Sequence, residues 1–224
     1  MDIKLLHLHP ELMSLYGDWA NVALLRRHLE DLGHTVTVET VLPGQEADLE
    51  GADFLYMGAG TERSQLAALA DFTRYGDAVR ALAENGTAML FAGTAMELLG
   101  KTITDDAGKV YEGLGLADFT AAQNKKRLVE HPGIALADFT SVQGTRRILG
   151  DVYGKTDICP QAVVGFMNKC AVISGVTAPL LTGLELGFGN EAERGSEGFH
   201  WKNVFASELT GPLLVKNPRM LETA

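Results

Sequence analysis

Over the first hundred residues, short β-type runs and helix-type periodicities take turns, and this alternation restricts the fold more than any other feature of the chain. Residues 3–8 (IKLLHL) read as a strand closed by Pro10. Residues 21–31 carry Val22, Leu25 and Leu29 at helical spacing, with Gly33 as a stop. Residues 35–41 (TVTVETV) alternate and are β-branched, which predicts a second strand. Residues 53–57 (DFLYM) form a buried strand that runs into Gly58, Ala59 and Gly60. A helix then starts near Thr61 and carries Leu66, Leu69 and Phe72; another spans 77–84, and a strand covers 87–91. Strands alternating with helices predict an α/β fold, a doubly wound, mostly parallel sheet of flavodoxin-like type. Ligands in such sheets sit outside the carboxyl ends of the strands. Three loops are expected there: the one after the first strand, residues 58–60, and the turn at Gly93.

That last turn has the layout of a nucleophile elbow. In residues 87–100 (TAMLFAGTAMELLG) an apolar run breaks into small residues, and a helical start follows at once. A sharp strand-to-helix turn presents one side chain beside backbone N–H groups, which suits a Cys or Ser attacking an acyl group. Here the tip is Gly93, which has no side chain. The neighbouring Thr94 has two readings: a helix cap, or a hydroxyl nucleophile that needs an adjacent base.

Composition narrows the function classes. Apolar residues make up 46% and charged residues 21%, as in ordinary soluble domains, and 224 residues can bury a full core as one domain spanning 1–224. A net charge of −10 argues against nucleic acid as a partner. No apolar run is long enough to span a membrane, and two cysteines, Cys159 and Cys170, make no disulfide framework, so a cytoplasmic location is expected. No cofactor is expected; Gly58-Ala59-Gly60-Thr61 lacks the Lys of a phosphate-binding loop. Lys169 is placed to lower the thiol pKa of its neighbour Cys170. His7 and His9 alternate on the first strand and are expected to share a face. After Gly100 the texture turns to short β-type runs, a β-rich C-terminal half that closes over the carboxyl edge of the sheet. Within it LADFT at 116–120 recurs at 136–140, with Arg127 and Arg147 in matching places, which reads as a duplicated hairpin.

Several motifs, in order along nearly the whole chain, resemble the class I glutamine amidotransferases of the cobyric-acid-synthase type. Within these the nearest resemblance is to the glutaminase subunits of lipid II isoglutaminyl synthase. Residues 15–21 (LYGDWAN) resemble L-Y-x-D-x-G-N, and residues 58–65 (GAGTERSQ) resemble G-G-G-x-D-R-E-Q. Residues 93–100 (GTAMELLG) resemble the elbow C-G-G-Y-Q-L-L-G. Residues 145–151 (TRRILGD), 164–168 (VGFMN), 187–190 (GFGN) and 211–218 (GPLLVKNP) continue the series.

The resemblance implies a Cys–His glutaminase that passes ammonia to an ATP-dependent, Mur-ligase-like synthetase partner. It also assigns the nucleophile to the position of Gly93 and the general base to that of Thr210, so neither catalytic group is intact. Ala59 replaces the middle glycine of a turn expected to donate an oxyanion N–H, and Thr94 and Ala95 replace two elbow glycines. Arg147, or Arg127 in the upstream copy, is expected to contact a substrate carboxylate by bidentate pairing. The expected substrate-binding set is thus Arg147, Arg127, Gly58, Ala59, Gly60 and Thr94, with no metal. Two functions are open on this basis. One is a catalytically silent subunit that docks on the synthetase or binds glutamine. The other is an active glutaminase for lipid II or cobyric acid amidation, with its chemistry relocated to Thr94 or Cys170.

Overall fold

The computed structural model describes residues 1–123, 147–191 and 195–222. Strand β1 (Asp2–Leu8) leads into helix α1 (Trp19–Asp31), then β2 (Thr35–Val41), β3 (Phe54–Met57), α2 (Glu62–Phe72), α3 (Gly76–Glu84) and β4 (Ala88–Ala92). The first half follows the periodicities to within a residue or two. Thr61 caps α2 as its signature suggests, its hydroxyl accepting from the Ser64 N–H.

The β-rich half contributes β5 (Thr102–Thr104), β6 (Val110–Glu112), β7 (Thr120–Gln123), β8 (Ile148–Lys155), β9 (Val163–Lys169), β10 (Ala171–Ser174), β11 (Gly183–Leu186), β12 (Phe199–Trp201), β13 (Val204–Ser207) and β14 (Leu209–Thr210), before the short helix α4 (Leu213–Lys216). The central sheet has the order β12-β13-β4-β3-β1-β2. All its pairings are parallel except that of β12 with β13. Read from β2 to β13, this is the 2-1-3-4-5 order of flavodoxin-like sheets, with its switch point between β1 and β3.

Two apolar cores cover the two faces of this sheet. On one face α2 and α3 bring Ala68, Leu69, Phe72, Val79 and Ala83 onto Leu6, Leu55 and Met89. The sheet β10-β7-β5-β6 extends that layer with Ile103, Phe119, Ala121 and Ile173. On the other face α1 and α4 bring Val22, Leu25, Leu213 and Leu214 onto Leu5, Phe54 and Tyr56. The sheet β11-β8-β9-β14 continues it with Val152, Val163, Met167 and Leu209.

Two expectations need correction. The elbow continues as a 3-10 turn, Gly93–Leu99, every residue of which is buried, rather than as an α-helix. Packed tightly between β4 and Gly100, the segment adopts the narrower helix type used for short connectors. His7 and His9 do not share a face. Backbone φ at His9 is +49°, so the strand's alternation ends before it. His7 packs edge-on to Tyr56, whereas His9 packs against Phe72 on the opposite layer, 3.3 Å from Asp71. The upstream copy of the duplicated motif ends in β7, which pairs with β5 and β10. The downstream copy at 136–140, like Arg127, lies outside the described residues.

Candidate active site

The site lies where β1, β3 and β4 end, and its first component is the turn Gly58-Ala59-Gly60. Both outer glycines are required by the close approach of the β1–α1 loop. A Cβ on Gly58 would lie 2.7 Å from the Met13 carbonyl oxygen, and one on Gly60 2.8 Å from that of Leu12. Ala59 alone has room for a methyl group, and that methyl faces the elbow. Its N–H donates to Asp18 Oδ2 at 2.7 Å. Burial pushes the Asp18 carboxyl up to about 6, against the N–H groups of Ala59 and Gly211 that favour its charged form. Asp18 therefore serves the turn, not the first turn of α1, where its side chain makes no capping bond.

The elbow faces this turn across a very short gap. Gly93 has φ of +59°, the left-handed region that L side chains rarely adopt. A Cβ built there would overlap the Ala59 methyl, at 3.0 Å from Ala59 Cα and 3.1 Å from Thr210 Cγ2. The fold thus brings together Gly93 and Thr210, the two positions to which the resemblance assigns nucleophile and base. Thr210 donates its hydroxyl to the Phe166 carbonyl at 2.9 Å. Thr94 does not cap its own helical turn. Its Oγ1 accepts from the Gly60 N–H at 2.9 Å and donates to the Gly60 carbonyl at 3.1 Å, so its one proton is committed to Gly60. Gln65 in turn donates to the Thr94 carbonyl, and Gln123 donates to Gln65.

The outer wall carries the charge. Tyr16, Ala59, Gly60, Gly93, Thr94, Arg147, Asn168, Lys169, Glu208 and Thr210 line one small pocket. Arg147 lines this pocket, and its guanidinium is engaged there: it donates to Glu62 Oε1 and to Asn168 Oδ1, each at 2.8 Å. Asn168 donates to the Tyr16 hydroxyl at 2.6 Å. Burial opposes ionisation of Glu62, yet its own backbone N–H, the Cys170 thiol and Arg147 hold its carboxyl below the usual range.

Cys170 is a poor nucleophile for a reason opposite to the expectation from Lys169. Burial and then the Glu62 carboxylate, which its Sγ meets at 3.2 Å, push the thiol well up. Lys169 points elsewhere, into the interior, where it donates to the carbonyls of Gly189 and Asn190 and pairs with Glu208. Cys159 is buried against the Gln161 carbonyl, away from the pocket lining. Among the described residues no helix is long and apolar enough to cross a membrane.

Residues 4–218 match the CobB/CobQ-like glutamine amidotransferase domain family. The chain belongs to this family. It is 27% identical over 221 residues to the lipid II isoglutaminyl synthase (glutamine-hydrolyzing) subunit GatD of Streptococcus pneumoniae (strain ATCC BAA-255 / R6), covering 97% of this chain and 77% of that one. To the subunit of the same name in Staphylococcus aureus (strain N315) it is 25% identical over 219 residues, covering 96% and 80%. A crystal structure of a glutamine amidotransferase superposes with a TM-score of 0.57 at 17% identity, over 97% of this chain and 95% of the other, and shows the shared fold.

Within this CobB/CobQ-like domain, residue patterns alone missed four pocket residues: Tyr16, Asn168, Lys169 and Glu208. Tyr16 and Asn168 lie inside motifs that carry the resemblance, so their signal was present. Glu208 is two residues before Thr210 in the SELT run and is flanked by apolar or small residues, which is an uncommon setting for a carboxylate.

Proposed function

We propose that this chain is a catalytically silent glutamine amidotransferase-like subunit. It acts as one domain spanning 1–224, docks on an ATP-dependent, Mur-ligase-like synthetase in the cytoplasm, and serves amidation of the lipid II peptide. Family membership and the two GatD relatives support the system; the pocket supports the silence. The observation that carries it is the overlap between the Ala59 methyl and any Cβ at position 93. A site with no side chain at its elbow tip, and no space for one, cannot form an acyl-enzyme.

The remaining groups do not replace what is absent. Thr210 has no basic nitrogen, and a hydroxyl is no base near neutral pH. Thr94 is bonded on both sides to Gly60, and the Cys170 thiol is held protonated beside a carboxylate. The N–H groups of Ala59 and Gly60 are taken by Asp18 and Thr94, so neither is free to donate to an oxyanion. What survives at the mouth is recognition chemistry: Arg147, Asn168 and the Tyr16 hydroxyl. Arg147, Ala59, Gly60 and Thr94 stand in this reading as the wall and floor of a binding pocket for glutamine or a related small molecule, and Gly58, packed against Met13 outside the lining, shapes the turn.

The test is release of glutamate from glutamine by the purified chain, alone and mixed with its cognate synthetase. The expected result is no turnover above the buffer rate in either case, with the two proteins eluting together. Turnover that disappears in Thr94→Ala or Cys170→Ala would overturn the reading in favour of an active glutaminase.

A further inference from the structure

We infer that Ala59, Gly93 and Thr94 form one latch that seals the elbow against the 58–60 turn, and that Ala59 is the residue barring any side chain from the elbow tip. The inference deepens the proposed silent subunit, on which it rests, by naming what keeps its site shut. Two independent contacts carry it. The first is steric: the Ala59 methyl occupies the volume that the first carbon of a side chain at position 93 would need. The second is polar: the Thr94 hydroxyl holds both the N–H and the carbonyl of Gly60, pinning the turn in the position that brings that methyl to the tip.

The turn cannot retreat to make room. Gly58 and Gly60 are wedged against Met13 and Leu12 of the β1–α1 loop, and Asp18 holds the Ala59 N–H from the same side. The elbow cannot retreat either, because Ala95, Met96, Leu98 and Leu99 behind it are all fully buried. Close-packed interiors do not yield a methyl group's volume without cost. A nucleophile restored at position 93 alone would therefore meet a closed site; the methyl at 59 must go first.

A double-mutant cycle tests this on the intact chain: wild type, Ala59→Gly, Gly93→Ala and Ala59→Gly/Gly93→Ala, compared by thermal unfolding. The left-handed backbone at position 93 penalises alanine in both backgrounds, so only the steric part differs. Gly93→Ala is expected to lower Tm by roughly 5 °C or more in the wild-type background, and by no more than half as much in the Ala59→Gly background. An equal drop in both backgrounds overturns the latch, as does failure of both Gly93→Ala proteins to fold.

A chemical readout runs in parallel in a Cys170→Ser background. The thiol of Ala59→Gly/Gly93→Cys should be alkylated by iodoacetamide at least about tenfold faster than that of Gly93→Cys, as the tip becomes accessible. Equal rates count against the latch. Glutamine hydrolysis by the wild-type chain would overturn the silent-subunit reading and leave the cycle's result unaffected, so the two failures are distinguishable.

Discussion

Glu97 sits fully buried at the foot of the elbow turn, beside Gln65, with its Oε2 bonded to no group among the described residues. Burial is the main reason its carboxyl is pushed up to about 8. The like charges of Glu208 and, more weakly, Glu62 add to the rise, while Gln65 and Lys169 oppose it. The resembling motif carries glutamine here, and a protonated glutamic acid has nearly the same shape and one donor in place of two. The proton is bound more tightly in the fold than in the unfolded chain. Stability from this group is therefore complete below pH 4.5 and is lost as pH rises towards about 8. Glu197, pushed up to about 7 mainly by burial, acts in the same direction over a narrower window. Glu97→Gln should flatten the curve. Between about pH 6 and 9 it should lose less unfolding free energy than wild type by ~2 kcal/mol, as read from urea denaturation at the two pH values. An unchanged pH slope would show that the proton resides elsewhere in the cluster.

At the scale of elements, β9 shows how far the sequence can be followed. Its inward positions are Val163, Gly165, Met167 and Lys169, every second residue, and all four are buried. The period of two was legible, and so was the Val-rich run; that a lysine would keep to the inward series was not. A single lysine at a strand end ordinarily reads as solvent-facing, and its partners Gly189, Asn190 and Glu208 are contributed by distant parts of the chain. The same physics hid the 3-10 turn, because apolar spacing at Met96, Leu98 and Leu99 cannot reveal how tightly neighbours compress a buried segment. By contrast β1 to β4 and α1 to α3 were legible almost to their ends, since their periodicities and flanking glycines are local signals. Lys169→Met should be costly. It leaves Glu208 buried without its counter-charge, a loss of about 3–5 kcal/mol by urea denaturation, and Lys169→Met/Glu208→Leu should recover much of it. If the single variant is as stable as wild type, β9 is not held by this pair.

At the scale of the molecule, one amide ties the beginning of the chain to its end. Asn21, in the first turn of α1, donates to the Tyr56 hydroxyl at 2.8 Å and accepts from the Leu214 N–H at 2.8 Å, 193 residues away. Only the tertiary fold could show that it joins β3, α1 and α4. Asn21→Ala removes a partner from the buried Leu214 N–H and one from Tyr56, and should cost about 2 kcal/mol. Hydrogen exchange should report the loss in α1 and α4 together; loss confined to α1 would show that the two ends are held separately.

The left-handed turn at Gly93 has one more consequence, and it concerns durability. An L side chain held at φ of +59° carries roughly 1–2 kcal/mol of backbone strain, the sort of tension that reactive turns store. Glycine carries none, so this domain keeps the bend of a reactive turn with its spring unwound. Activity and stability commonly trade against each other at such positions. A turn built on glycine therefore holds its bend at rest, and the stability that an L side chain would cost there stays with the fold.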